Sequence, residues 1–231
     1  MTQPTLNRKK MLSAWDDARQ ARYRAAHPEE TLTLTFLLDA SPSMQGQPAC
    51  DLRRSFNLYM CWLQRQAPPL SMAAVRCFSS YLDPYSAVPL GQLTPLDERT
   101  YDPSSGDGTA LYRAIGETCS AIATGRSRGQ QVLVVFTDGL DNSSPCYGWS
   151  LENTRDVLSG LLRREGWLAV FLGAFPQALE MGLRLGFHEG NCLLLSTDQI
   201  PEAFRRLTAA TERYIAAGPH QRKLLAQTGV F

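Results

Sequence analysis

The sequence predicts an α/β chain built on a mostly parallel sheet with helices on both faces. Three observations carry this. From residue 31 onward, short strand-length runs alternate with helix-length segments whose apolar residues recur every three or four positions. Two of the runs, "TLTLTFLL" and "QQVLVVFTDG", are apolar nearly throughout at their ends, as strands covered on both faces must be. No internal repeat, low-complexity block or linker splits the chain, so residues 31–218 read as one domain between an extension (1–30) and a tail (219–231).

Within the extension, residues 9–26 are polar and helix-prone, with Leu12, Trp15 and Tyr23 in a thin apolar stripe suited to packing on the main domain. Residues 31–38 form the first strand and end at Asp39. After a turn, Leu52, Phe56, Tyr59, Met60 and Leu63 give residues 51–66 a helical period. "AAVRCFSS" (73–80) is a strand and "SAVPLGQL" (86–93) its expected neighbour. A loop rich in proline, aspartate and serine ends in "DPSSGDGT". Residues 109–124 are helical through Leu111, Ile115, Cys119 and Ile122, and the most apolar strand follows, ending at Asp138. Helix, strand, helix, strand and helix are expected at 151–165, 167–174, 177–185, 191–196 and 200–217. The last residues are expected to be loosely held.

Composition narrows the function classes. In 231 residues, 44% apolar content supports a sizeable core, and a net charge of +1 gives no reason to expect nucleic acid. No apolar segment approaches the ~20 residues that span a bilayer, and the N-terminal stretch lacks the apolar run of a secretory signal. The six cysteines show no metal-finger spacing and read mostly as small core residues, so the expected setting is cytoplasmic and reducing, without membrane contact.

The chemistry gathers at strand ends. In open parallel sheets, ligands bind beyond the carboxyl ends of the strands. Asp39 and Asp138 both end core strands, and if those strands are adjacent their carboxylates share one crevice. "DASPS" sets Ser41 and Ser43 at alternate positions, where an extended loop turns side chains the same way. The glycine-flanked "GDGT" loop brings Thr109 to the mouth of a helix. Hydroxyls and carboxylates without histidine or cysteine suit a hard cation, with Mg²⁺ first and Mn²⁺ or Ca²⁺ as alternatives. Taken alone, "DASPS" is equally an ordinary turn.

These motifs ("DASPS", "GDGTAL", "FTDGLDN") resemble the von Willebrand factor A domains of the cytoplasmic bacterial type, with their metal-ion-dependent adhesion site. The resemblance covers about residues 31–217. It matches all five site positions and departs at Pro42, where the family commonly has glycine. It implies a Rossmann-like three-layer sandwich. It also implies Ser41, Ser43 and Thr109 as direct metal ligands, with Asp39 and Asp138 acting largely through water. An ion held mostly by neutral hydroxyls keeps much of its positive field, and in this family it takes a Glu or Asp of a protein partner. The expected role is therefore a non-enzymatic adaptor in a bacterial stress or defence system. Candidate partners are a MoxR-type AAA+ ATPase or a kinase or phosphatase. Asp107, Asp141 and Asn142 read as loop residues, and Trp149 as either packing or a partner anchor.

The rival is a Mg²⁺-dependent phosphohydrolase using Asp39 and Asp138. It would need a second acid where Ser41 stands and a basic residue for the phosphate. A serine hydrolase is disfavoured, since His27, His188 and His220 lie in no strand-end motif and "DASPS" is not a nucleophile elbow.

Overall fold

In the computed structural model, residues 31–104, 106–124, 129–164 and 167–231 are described. The expected N-terminal helix lies outside the described residues. Six strands form one sheet: β1 (Leu32–Asp39), β2 (Met72–Phe78), β3 (Val88–Pro89), β4 (Gln130–Thr137), β5 (Trp167–Gly173) and β6 (Cys192–Leu194). Their order is β3-β2-β1-β4-β5-β6, and every pairing is parallel except β2 with β3. The chain works outward from β1 to one edge, then returns to the centre at β4 and works to the other. β1 and β4 are thus neighbours at the topological switch point, where the crevice beyond the sheet opens.

Alternation along the strands feeds two apolar layers. Leu34, Phe36, Leu38, Val132, Val134 and Val170 face one layer, and Leu37, Leu133, Val135, Ala169 and Phe171 the other. Helices α1 (Gln47–Gln66) and α5 (Ile200–Ala216) cover the first; α2 (Leu111–Thr124), α3 (Leu151–Leu162) and α4 (Ala178–Leu185) cover the second. This is the expected Rossmann-like three-layer sandwich. Phe36 anchors the first layer edge-on to Phe56 (5.2 Å) and Tyr59 (5.8 Å), and Tyr59 shares a buried hydrogen bond with Thr211 at 2.9 Å. Truncating Phe36 to alanine would cost about 3–5 kcal/mol through lost burial and the cavity left behind.

Several boundaries move. α1 starts at Gln47, earlier than residue 51, because Gly46 takes a positive φ of 78° and Pro48 sits in the first turn, where a missing N–H is harmless. The strand expected over 86–93 shrinks to two residues, since Pro89 has no N–H for the ladder and the chain enters a short 3-10 turn, Leu90–Gln92. The tail is not loose: it forms α6 (Pro219–Thr228), and Val230 is buried in the first apolar layer. Cys77 and Cys119 are core residues as expected, but Cys50, Cys61 and Cys146 are exposed and Cys192 is half-buried. Among the described residues no helix is long and apolar enough to cross a membrane.

Candidate metal centre

Asp39 is the last residue of β1 and is fully buried. The register pairs Leu38 with Phe136, which sets Asp39 beside Thr137 at the end of β4. Thr137 Oγ1 donates to Asp39 Oδ2 at 2.6 Å, and the Ser41 backbone N–H donates to Oδ1 at 2.8 Å. The second bond is the turn-forming contact for which aspartate is suited. It folds the chain back so that both serines return over the strand end.

Ser41 Oγ lies 3.0 Å from Ser43 Oγ, and Ser43 Oγ donates to Asp138 Oδ1 at 2.9 Å. Three oxygens drawn from two loops thus stand in a row above the switch point. An octahedral Mg²⁺ shell with arms of ~2.1 Å has edges of about 3.0 Å. The spacing of these oxygens is that of neighbouring ligands. Ser41 is buried, Asp138 half-buried and Ser43, the middle member, exposed, so solvent reaches the group at Ser43.

Thr109 reaches the same place from another direction. Its loop is fastened to the ends of both strands that flank β1. The Ala110 N–H donates to Ser79 O beyond β2 at 2.9 Å, and the Ser80 N–H donates to Asp107 O at 3.2 Å. Beyond β4, Asn142 grips Thr109 twice: Asn142 Oδ1 accepts from Thr109 N at 2.7 Å, and Asn142 N donates to Thr109 O at 3.0 Å. The two glycines of "GDGT" permit this approach. A side chain at Gly106 would meet Ser79 Oγ at 2.0 Å, and Gly108 has a φ of +70° with Asn142 Oδ1 close by. Thr109 Oγ1 ends up against Gly139: a Cβ placed there would be 3.9 Å away. The structure therefore joins Asp39, Ser41, Ser43 and Asp138 in one hydrogen-bonded group and sets Thr109 beside Gly139, the residue after Asp138.

Sequence reasoning missed the residues that hold the five in place. Asn142 is a clamp and not just a loop residue. Asp141 accepts from the Tyr112 N–H at 2.9 Å and from the Ser144 hydroxyl, capping the amino end of α2, where a carboxylate is favoured. Asp107 accepts from Ser80 Oγ at 2.6 Å. Tyr101, fully buried, donates its hydroxyl to the main-chain carbonyl of Asp39. Apart from Asp141 with Ser144, these pairs lie 27 to 62 residues apart, and no local pattern marks them. Trp149 packs over Gly116 of α2, where an added Cβ would lie 2.0 Å from its ring, so it serves as a packing residue.

The electrostatics are one-sided. Burial pushes the Asp39 carboxyl up to about 6, against the pull of the Thr137 and Ser41 hydrogen bonds, and the like charge of Asp138 pushes the same way. Burial also raises Asp138, opposed by the Ser43 hydroxyl. Among the described residues no arginine or lysine pairs with either carboxylate. Nor do those residues contain a group of three or more His, Cys, Asp or Glu side chains placed to hold a metal. The donors on offer are hydroxyls and two carboxylates. That set fits a hard, oxygen-seeking cation, and the buried negative charge would be relieved by one. His188 caps the turn before β6 and His220 lies on α6, so neither is at this edge to serve Ser41 or Ser43 as a base.

No protein-family profile matches the chain, and no curated protein matches it. Solved structures do resemble it. PilB minor pilin from Streptococcus sanguinis is 13% identical, with a TM-score of 0.59 over 82% of this chain and 63% of its own. Proximal thread matrix protein 1 from the mussel byssus, in a structure with a zinc-occupied MIDAS motif, is 14% identical, with a TM-score of 0.56 over 80% and 48%. A von Willebrand factor type A protein from Catenulispora acidiphila is 16% identical, with a TM-score of 0.52 over 80% and 43%. The chain spans about two fifths to just under two thirds of these neighbours' lengths. Its fold is the von Willebrand factor A-like α/β sandwich that they share.

Proposed function

We propose that this chain is a metal-dependent protein-interaction module. Ser41, Ser43 and Thr109 would hold Mg²⁺ directly, and Asp39 and Asp138 largely through water. The single observation that carries this reading is a row of oxygens at ligand spacing, beside a buried carboxylate that no described cationic side chain neutralises. When bound, the ion supplies an electrophilic point for an anionic oxygen. The chain's own residues do the rest: the strand ends fix the carboxylates, the serines line the path to solvent, and Asn142 holds Thr109 over them. A mussel neighbour with a zinc-occupied site of this name supports the choice of a divalent cation.

The partner in this reading is a protein that offers a Glu or Asp side chain. Its setting would be an adaptor role in the bacterial cytoplasm beside an AAA+ ATPase of the MoxR type or a kinase or phosphatase. We read the chain as non-enzymatic, since the site lacks the second acid that Mg²⁺ phosphohydrolysis would require at position 41. Two experiments test this. Asp39→Ala and Thr109→Ala variants, shown to be folded, should lose Mg²⁺ binding and chelator-sensitive partner capture together; full retention of both contradicts the reading. A phosphatase screen with Mg²⁺ or Mn²⁺ should show no turnover. Turnover abolished by Asp39→Asn would replace an interaction module with an enzyme.

A further inference from the structure

The segment from residue 90 to residue 110 links β3 to α2 by way of the metal face, and it is fastened along α1 at three heights. Gln64 Nε2 donates to Leu90 O at 3.0 Å. Asn57 takes both backbone groups of Leu96, donating to its carbonyl at 2.9 Å and accepting from its N–H at 2.8 Å. Arg53 Nη1 donates to Tyr101 O at 3.3 Å. The loop therefore runs down α1 from its carboxyl end toward its amino end, which emerges directly from the "DASPS" turn. At the bottom of this run Tyr101 turns inward, and its hydroxyl donates to the Asp39 main-chain oxygen at 2.5 Å in a fully buried setting.

We propose that Tyr101 is a positioning residue for the metal site, fixing the end of β1 so that the "DASPS" turn and the Thr109 loop keep one relative placement. Asp39 is then held on three sides: its two carboxylate oxygens by Ser41 N and Thr137 Oγ1, and its carbonyl by Tyr101. The same short segment that delivers Tyr101 goes on to deliver Thr109, so one piece of chain sets both the first acid and the third hydroxyl. A ligand set displaced by a fraction of an ångström is poor for Mg²⁺, which tolerates little departure from octahedral geometry. A purely structural tyrosine would affect stability alone.

The inference rests on the metal-site reading above, and its test separates the two. Mg²⁺ titrations of wild type and Tyr101→Phe are compared, together with amide hydrogen exchange in the metal-free proteins. Tyr101→Phe should bind Mg²⁺ at least tenfold more weakly while fully folded. Its Ser41 amide should exchange at least tenfold faster, with the α5 amides unchanged. Wild-type affinity and an unchanged Ser41 amide, even with a lowered melting temperature, would overturn the positioning role and leave the metal site standing. No Mg²⁺ binding by the wild type would overturn both. If Tyr101→Phe fails to fold, Asn57→Ala loosens the same loop without touching the hydroxyl. A threefold or larger loss of Mg²⁺ affinity then supports the role, and wild-type affinity overturns it.

Discussion

The two ends of the sheet treat their polar groups in opposite ways. At the amino end of β6 the tail closes over the body with its polar groups matched. Gly190 O accepts from the N–H groups of Val230 and Phe231, Asn191 bridges to Val230 N and Ala226 O, and Arg222 donates to the carbonyls of Tyr214 and Ile215. At the carboxyl end, hydroxyls and one backbone N–H surround a buried carboxylate, and no described cationic side chain offsets it. One end is finished by internal bonds. The other carries an electrostatic cost that an external cation would remove.

The comparison can be broken most forcefully at the sealed end. Gly229 has a φ of +106° and approaches Gly190 so closely that an added Cβ would lie 2.5 Å from its Cα. Backbone strain and overlap together should make Gly229→Ala destabilising by roughly 4 kcal/mol. Denaturant unfolding measures this, and Mg²⁺ affinity at a temperature where the variant is folded should stay as in wild type.

At the open end, Asp39→Asn should act in the contrary sense. The folded-state pKa of Asp39 lies above its ordinary value, so the folded protein holds this proton more tightly than the unfolded chain does. The contribution of Asp39 to metal-free stability is therefore fully present below about pH 4 and is lost as pH rises through about 6, a loss on the order of 3 kcal/mol. The isosteric amide removes the charge. Metal-free Asp39→Asn should thus be about 2–3 kcal/mol more stable than wild type at pH 7.5, with that dependence on pH gone. Its Mg²⁺ affinity should fall at least a hundredfold. Thermal melts from pH 4 to pH 8 with chelator present check the first part and calorimetry the second.

A smaller effect of the same origin belongs to the wild type. Mg²⁺ competes with a proton below pH 6, so its affinity should drop up to roughly tenfold per pH unit from 6 to 5 and level off above 7. Smaller still is Ser143, whose hydroxyl is buried beside Gly108 without a hydrogen-bond partner among the described residues. Ser143→Ala removes an unsatisfied group and should leave stability unchanged or raise it by up to about 1 kcal/mol in a denaturant titration.

The ease of reading the sequence followed the range of the interactions involved. β1 and β4 were legible because burial on both faces demands continuous apolar residues, and Asp39 and Asp138 stood out by ending those runs. Their adjacency, a condition in the sequence reading, is met at the switch point. The alternation of Asp39, Ser41 and Ser43 was legible because it is local. Tyr101, Asn142 and Asp141 were not, because each acts on a residue far away in sequence through a backbone group that leaves no mark on residue type. The tail was misjudged for a related reason: "GPHQRKLLAQTGVF" has little apolar period of its own, and its order comes from Gly190 and Asn191. At β3, Pro89 was a visible warning, since it could not serve a full-length strand.

The most direct measurement is a calorimetric titration of the folded wild type with Mg²⁺, repeated with Mn²⁺, at pH 7.5. The account predicts one binding event per chain, absent in Asp39→Asn. Flat titrations with both ions would contradict it and leave the five oxygen-bearing residues as a hydrogen-bonded turn and nothing more.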